Sequence, residues 1–242
     1  MKKKWVMLPA LLMITVMCCG CAGLEADNGM DTTEEVSETV VETEAETEAE
    51  TETDVQEQKE DVSTDYSAIC GSVEDGVYTS DYFNLQYEPG QDFEFLDEEQ
   101  IGELLQMAID TMDYDSFFEK QFATNQLAVV AMAMNQEGTQ NMVIEMVHYD
   151  VQDDTAKDIL RVDSVARPLE QSGCEDVTAE QYPCEFLGEQ TVCLKTHCIQ
   201  NGYDMYQQQR VIICEDYYAQ ICATSYMDDK TDEMFEKFSW IE

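Results

Sequence analysis

The side chains able to act as a general base are few and lie apart in the sequence. The chain has two histidines, His148 and His197, and a Ser-His-Asp or Cys-His arrangement needs one of them as its base. The motifs GxxxxGK[ST], GxGxxG, GxSxG and HExxH do not occur. Both histidines fall in or at the end of predicted strands, where a structural or surface role is usual. We therefore expect no catalytic residue and no enzymatic activity.

Cysteines are the other candidate reactive groups. Residues 66–242 contain seven of them: Cys70, Cys174, Cys184, Cys193, Cys198, Cys214 and Cys222. No CxxC motif occurs in this region, which argues against zinc or thioredoxin-like redox chemistry. On a strand, Cys193 and His197 share a face about 13 Å apart while Cys198 points the other way, so one metal ion cannot bind all three. We expect no metal and no cofactor.

Two facts bear on how many of these cysteines form disulfides: the compartment of the protein and the odd number of cysteines. An exported domain usually pairs its cysteines, but seven is odd, so at least one thiol is unpaired in a single chain. Their placement in predicted strands favours small apolar residues packed in a core. We expect mostly thiols, with Cys174–Cys184 as the disulfide to test first.

Basic and aromatic residues converge on one predicted hairpin. Asn201-Gly202 predicts a two-residue turn, which places Lys195 opposite Gln208 and His197 opposite Tyr206. Residues Lys195, His197, Tyr206 and Arg210 then share one face. In so acidic a chain this face is a candidate binding face for an anion or an acidic partner. The alternative is a sheet face salt-bridged to a neighbouring helix.

The amino terminus has the layout of a secretory signal peptide. Three lysines precede an apolar run from Trp5 to Met17, and small residues follow. This run is too short to cross a hydrocarbon core of roughly 30 Å as a helix. Residues 1–20 are therefore interpreted as a signal peptide; a retained membrane anchor is the alternative.

The end of this segment resembles a bacterial lipobox, in which a small residue precedes a cysteine that is acylated and becomes the mature amino terminus. Gly20-Cys21 fits the pattern, although Cys18 stands where an aliphatic residue is usual. The resemblance implies acyl chains such as palmitate on Cys21, a lipoprotein, and a location at the extracytoplasmic face of the cell membrane. Two or more chains anchor a protein stably. Ordinary cleavage, giving a secreted protein, is the other interpretation.

An acidic segment follows the signal peptide. The stretch VETEAETEAETETD places Glu at alternate positions, and residues 25–65 carry a net charge of −16 with no aromatic residue. Such a segment cannot bury enough apolar surface to fold, and its charges repel. We expect residues 21–65 to form a disordered acidic linker after the lipidated Cys21.

The whole chain has a net charge of −41, of which residues 66–242 carry −28. Nucleic-acid binding needs a basic surface and is excluded as a function class; docking on anionic lipid is disfavoured as well. The charge favours solubility, cationic partners or divalent-ion association of low specificity.

Residues 66–242 have the length of one domain. The pattern predicts two short strands in Val77–Tyr87, then a helix capped by Asp97 with Gln100 three residues later. Strands are expected over Leu127–Asn135 and Asn141–Asp150, and a second helix from Asp153 or Asp154 with Ile159, Val162, Ala166 and Leu169 facing inward. Three further strands, Thr191–Gln200, Tyr203–Cys214 and Tyr217–Tyr226, precede a final helix over Asp229–Phe238. This order predicts an α+β domain with a mainly antiparallel sheet and helices on both faces, an α/β/α sandwich.

The element order resembles the PsbP-like fold, which includes many bacterial lipoproteins of unknown role. The resemblance rests on GVYTSDYFNLQYEP, on YDMYQQQRVIICEDYYAQICATSY and on MFEKFSW. It implies a non-catalytic binding or assembly domain for a protein or envelope component. An extracytoplasmic hydrolase and a small-ligand or metal carrier are the alternatives.

Overall fold

The computed structural model describes residues 66–105, 118, 120–122, 127–148 and 155–241. The predicted signal peptide, Cys21 and the predicted acidic linker lie outside these residues. Among the described residues, no helix is long and apolar enough to cross a membrane.

The first half of the fold contains short strands and helices followed by one long hairpin. Its elements are α1 (Tyr66–Cys70), β1 (Ser72–Glu74), β2 (Val77–Ser80), β3 (Leu85–Tyr87), β4 (Phe93–Phe95), α2 (Glu98–Leu104), β5 (Leu127–Asn135) and β6 (Gln140–His148). The predicted cap of α2 is confirmed. Gln100 N–H donates to Asp97 Oδ1 at 2.9 Å, and the Gln100 side-chain oxygen accepts from Asp97 N–H at 2.9 Å.

The second half consists of two helices, a four-strand meander and a short helix-strand end. Its elements are α3 (Ala156–Ile159), α4 (Val162–Gln171), β7 (Glu175–Phe186), β8 (Glu189–Gln200), β9 (Tyr203–Cys214), β10 (Tyr217–Tyr226), α5 (Thr231–Phe235) and β11 (Phe238–Trp240). The predicted strands β9 and β10 have the expected bounds. The second predicted helix is two helices, and Pro168 lies inside α4 without ending it.

Two antiparallel sheets form the described fold. One has four strands in the order β1-β2-β3-β11, and the other has seven in the order β4-β5-β6-β10-β9-β8-β7. Every pairing among the described strands is antiparallel. The expectation of a mainly antiparallel α+β domain is therefore confirmed.

The seven-stranded sheet packs through both of its faces. Ala219, Ile221 and Ala223 of β10 belong to a core cluster that includes Leu85 and Tyr87 of the four-stranded sheet. A second cluster joins helices α3 and α4 to β8 and β9; its buried members are Leu160, Val165, Leu169, Cys174, Leu194, Cys198, Met205, Val211 and Tyr226. The expected α/β/α sandwich is not confirmed, because part of the core is filled by a second sheet.

Helices α3 and α4 bury a different set of residues from the set expected. Leu160, Val165 and Leu169 are buried, whereas Val162 is 38% exposed. The reason is the break at Leu160 and Arg161 between the two helices, which shifts the apolar stripe. The final helix is likewise shorter than predicted, because Phe238 begins strand β11 beside Tyr87.

Gly71 gives a stability test of the junction between α1 and β1. Its φ is +73°, and a Cβ there would lie 2.2 Å from the Thr79 carbonyl oxygen; Gly76 has a similar φ of +80° but open space. Left-handed strain alone costs about 1–2 kcal/mol. We expect Gly76→Ala to lose about that much unfolding free energy in urea denaturation, and Gly71→Ala clearly more. Equal losses would contradict the close approach.

Candidate functional site

The β8–β9 hairpin has the predicted register. Asn201 and Gly202 occupy left-handed backbone conformations with φ of 52° and 82°, as a two-residue hairpin turn requires. Lys195 pairs with Gln208 and His197 with Tyr206. Because side chains alternate between faces, Lys195, His197, Tyr206 and Arg210 lie on one face of the sheet as predicted.

Each basic side chain on this face contacts a carboxylate of the same chain. Lys195 Nζ lies 2.6 Å from Asp229 Oδ2 and 3.7 Å from Asp232 Oδ2. The His197 ring nitrogen Nε2 lies 2.8 Å from Asp204 Oδ1, and the ring also packs on Tyr206 at a centroid distance of 4.8 Å. These contacts match the alternative interpretation of a sheet face salt-bridged to a neighbouring helix, since Asp232 belongs to α5.

Arg210 is the most buried of the four residues. Its guanidinium carbon lies 4.1 Å from the ring centroid of Phe235 and 5.0 Å from that of Phe186. Its hydrogen bonds are long: Nη1 donates to the Glu185 carbonyl at 3.4 Å, and Nη2 donates to Gln208 Oε1 at 3.3 Å. Burial lowers the pKa of Arg210, opposed by the charges of Tyr182 and Asp232.

The Gln208 side chain hydrogen-bonds to both Arg210 and Asp232. Its side-chain Nε2 donates to Asp232 Oδ1 at 3.0 Å and to the Tyr182 hydroxyl of β7. Asp232 Oδ1 also lies 3.4 Å from Arg210 Nη2. The network therefore ties the first turn of α5 to strands β7 and β9 through side chains alone.

The ion pair between Lys195 and Asp229 perturbs both groups. Burial raises the pKa of Asp229, but hydrogen bonds from Lys195 and Thr231 outweigh burial and hold the pKa below its ordinary value of 3.8. Burial lowers the pKa of Lys195, and the hydrogen bond and charge of Asp229 outweigh it, so that the pKa is raised. Both shifts favour the charged pair at neutral pH.

A cleft of about 390 Å³ opens beside Arg210. Its walls come from the end of β7, from β9, from α5 and from β11. The lining residues are Glu185, Phe186, Leu187, Arg210, Asp232, Phe235, Glu236 and Phe238. Three of them are aromatic and three are carboxylates, against one guanidinium. The three phenylalanines are buried, with 3–7% of each residue exposed, so their rings back the cleft, whereas the three carboxylates give it a net negative charge.

The turn between β7 and β8 forms one wall of this cleft. Leu187 has a left-handed φ of 55° and precedes Gly188 with φ of 82°. A branched apolar residue rarely adopts this conformation, and strain of this kind is often found at functional sites. The Leu187 carbonyl accepts a hydrogen bond from Trp240 Nε1 at 3.0 Å, which ties the turn to β11.

The expected Cys174–Cys184 disulfide is wrong. Cys184 forms its disulfide with Cys193, at a Cα–Cα distance of 6.0 Å. Strand β7 pairs with β8 so that Cys184 faces Thr191, which makes Cys193 its diagonal neighbour on the same face. Cys174 lies at the other end of the hairpin, in the second core cluster. The expectation of mostly thiols agrees with the structure, in which Cys174, Cys198, Cys214 and Cys222 are not in disulfides.

Sequence reasoning missed the aromatic walls of the cleft. Phe186 is the last residue of strand β7, which the pattern does not predict, and the predicted final helix includes Phe235 and Phe238. One signal was present: Leu187-Gly188 precedes the alternating segment of β8, and a glycine after an apolar residue is compatible with a hairpin turn.

Comparisons with known proteins give limited likeness. No family model matches the chain, so the resemblance to PsbP stays a prediction, and no curated protein matches it. Among solved structures, the chain is similar to LpqN, involved in cell envelope biogenesis of Mycobacterium tuberculosis. The identity is 12%, the TM-score is 0.35, and the match covers 64% of this chain and 82% of LpqN.

A second similar structure is PA94 from Pseudomonas aeruginosa, a protein of unknown function described as a putative regulator. It is 19% identical with a TM-score of 0.23, over 36% of this chain and 60% of PA94. Both TM-scores are too low to support an inference about function.

The Asp229–Lys195 pair predicts how stability depends on pH. Because the pKa of Asp229 is lowered in the folded state, its stabilisation is present above pH 4 and is lost as the pH falls through the folded value. Asp229→Asn should reduce the free energy of unfolding at pH 7 by about 1 kcal/mol, since the pair is partly exposed. The difference from wild type should shrink below pH 4 in urea denaturation.

Glu233→Gln is the matched control, because it removes an exposed carboxylate of helix α5 that pairs with Lys230, the neighbour of Asp229. Its effect should be smaller than that of Asp229→Asn at pH 7. A loss for Asp229→Asn that stays constant down to pH 2 would contradict the ion-pair origin.

Proposed function

We propose that the chain is a lipid-anchored extracytoplasmic lipoprotein whose domain binds a protein or envelope component without catalysing a reaction. In this proposal residues 1–20 are a signal peptide, Cys21 carries the acyl chains, residues 21–65 are an acidic linker and residues 66–242 are the binding domain. The lipobox-like Gly20-Cys21 and the charge of the linker support the anchor and the spacing.

The observation that carries the binding role is the aromatic cleft with an acidic rim. Three carboxylates, Glu185, Asp232 and Glu236, surround one guanidinium, that of Arg210. Arg210 is already placed against two phenylalanine rings and near Asp232. The cleft therefore favours a partner segment with a positive charge next to an apolar side chain, and not the anion that the sequence suggested.

The composition of the cleft supports a role without chemistry. The eight lining residues include no serine, threonine, cysteine or histidine, so they do not form the nucleophile–histidine arrangement of a serine- or cysteine-type hydrolase. We therefore prefer a binding domain to the hydrolase. The charge of the chain also argues against nucleic acid as a partner.

A carrier of a small cationic molecule is the second candidate. The volume of about 390 Å³ falls in the range of small-molecule sites. A compact amine with an aromatic or aliphatic body would meet the same phenylalanine walls and the same carboxylates.

The anchor is tested by Cys21→Ala. Acyl chains supply the membrane affinity in this proposal, so the variant should move from the membrane fraction to the soluble extracellular fraction. Cys18→Ala is the control and should stay with the membrane. Mass spectrometry of the wild-type amino terminus should find acylated Cys21. Retention of Cys21→Ala in the membrane would show that the anchor lies elsewhere.

The binding role is tested with short blocked peptides. We expect Lys-Phe-Lys to perturb the NMR ring signals of Phe186, Phe235 and Phe238 in the full chain, and Glu-Phe-Glu to bind about tenfold more weakly, because its charges repel the rim. Added salt should weaken the binding of the basic peptide. A free aromatic amine that binds as well as the peptide would favour the small-ligand carrier.

Leu187→Asn is the informative variant. Asn-Gly is the favoured pair for this kind of turn, so the fold should survive while one wall of the cleft is lost and peptide binding falls. Val73→Asn, at an exposed apolar position away from the cleft lining, is the control and should bind normally. Equal binding of basic and acidic peptides would overturn the proposed cationic partner.

A further inference from the structure

A second pair of cysteine side chains meets at the end of the β7–β8 hairpin away from the cleft. Cys174 directly precedes β7, and Cys198 lies two residues before the end of β8. Glu175 pairs with Ile199, so Cys174 and Cys198 are diagonal neighbours on one face of the hairpin. The two side chains are close enough for the Cys174 thiol to raise the pKa of the Cys198 thiol.

The position of Cys174 is fixed by the end of helix α4. Cys174 N–H donates to the Leu169 carbonyl at 3.0 Å and Gly173 N–H donates to the Glu170 carbonyl at 3.1 Å. Together with the left-handed φ of 89° at Gly173, these bonds form a Schellman motif. Cys174 also contacts the Ser172 hydroxyl at 3.7 Å. These backbone hydrogen bonds fix the position of Cys174.

Both thiols are buried in the second core cluster, Cys174 with 7% and Cys198 with 0% of its surface exposed. The Cys184–Cys193 disulfide lies at the opposite end of the same two strands, and its cysteines are also diagonal neighbours. The hairpin thus carries one disulfide near its turn, on the face of Lys195, and one thiol pair at its open end, on the opposite face.

We propose that Cys174 and Cys198 are a redox modification site that forms a second disulfide nested outside Cys184–Cys193. The oxidant is a disulfide compound, either a small molecule or an oxidising protein. Cys174 thiolate attacks the oxidant to give a mixed disulfide and release one thiol. Cys198 thiolate then attacks the Cys174 sulfur and releases the second thiol. Two protein thiols lose two electrons and two protons, and the oxidant disulfide becomes two thiols.

The environment of the pair sets when this reaction occurs. Burial, followed by the hydrogen bond and charge of Cys174, raises the pKa of Cys198 to about 12. Since the thiolate is the nucleophile, exchange in the folded chain is slow. The Cys174–Cys198 disulfide therefore forms during folding outside the cytoplasm, before the α4–β7 junction is packed.

The test uses the full chain, with oxidised glutathione as the oxidant. Reduced chain is refolded from urea in a glutathione redox buffer, and folded chain carrying the Cys184–Cys193 disulfide is treated with oxidised glutathione. Thiols are then alkylated and the peptides are mapped by mass spectrometry. We expect the refolded chain to contain a Cys174–Cys198 cross-linked peptide and two fewer alkylated thiols, and the folded chain to form it many times more slowly.

Three variants decide the outcome. Cys174→Ala and Cys198→Ala should each abolish the second cross-link and leave Cys184–Cys193 intact. Cys222→Ala, which removes another buried strand cysteine, should leave both disulfides. A refolded product with Cys184–Cys193 alone, or with stable glutathione adducts on Cys174, would overturn the proposal. Circular dichroism of each variant separates loss of the disulfide from loss of the fold.

Discussion

The Asn201-Gly202 turn is the constraint on which the rest of the site depends. It fixes the register of β8 on β9, and a slip of one residue would exchange the two faces of both strands. In the observed register Leu194, Cys198, Met205 and Val211 pack against helices α3 and α4. The intervening residues, including Lys195 and Arg210, are left for the opposite face, where α5 supplies the carboxylates.

A strongly acidic chain has to accommodate its own few cations, and this face shows how. Lys195, His197 and Arg210 each contact an aspartate within 3.4 Å, so the basic patch visible in the sequence has no free charge to offer an anion. The remaining carboxylates then dominate the cleft. For this reason the proposed partner is cationic, whereas the sequence suggested an anion. The sequence shows where the basic residues are, but only the fold shows which carboxylates lie beside them.

Local signals predicted much of the fold, and pairing over longer distances did not follow from them. The Asp97–Gln100 cap and strands β5, β9 and β10 are encoded by short-range patterns. Strand β7 was missed because its sequence, EDVTAEQYPCEF, is largely polar and contains Pro183, as an edge strand tolerates. Without β7, neither the partner of Cys184 nor the aromatic cleft at the β7–β8 turn could be derived.

The β7–β8 hairpin connects these features physically. Its turn end carries the Cys184–Cys193 disulfide directly beside Glu185, Phe186 and Leu187, which form a cleft wall. Its open end carries Cys174 and Cys198, held by the carboxyl end of α4. As an edge strand, β7 has hydrogen-bonded strand neighbours on one side only, so cross-links to β8 restrict its motion more than they would for a central strand. A disulfide at the turn keeps the cleft wall in place even when the open end is reduced, and closing the second would fasten the strand at both ends.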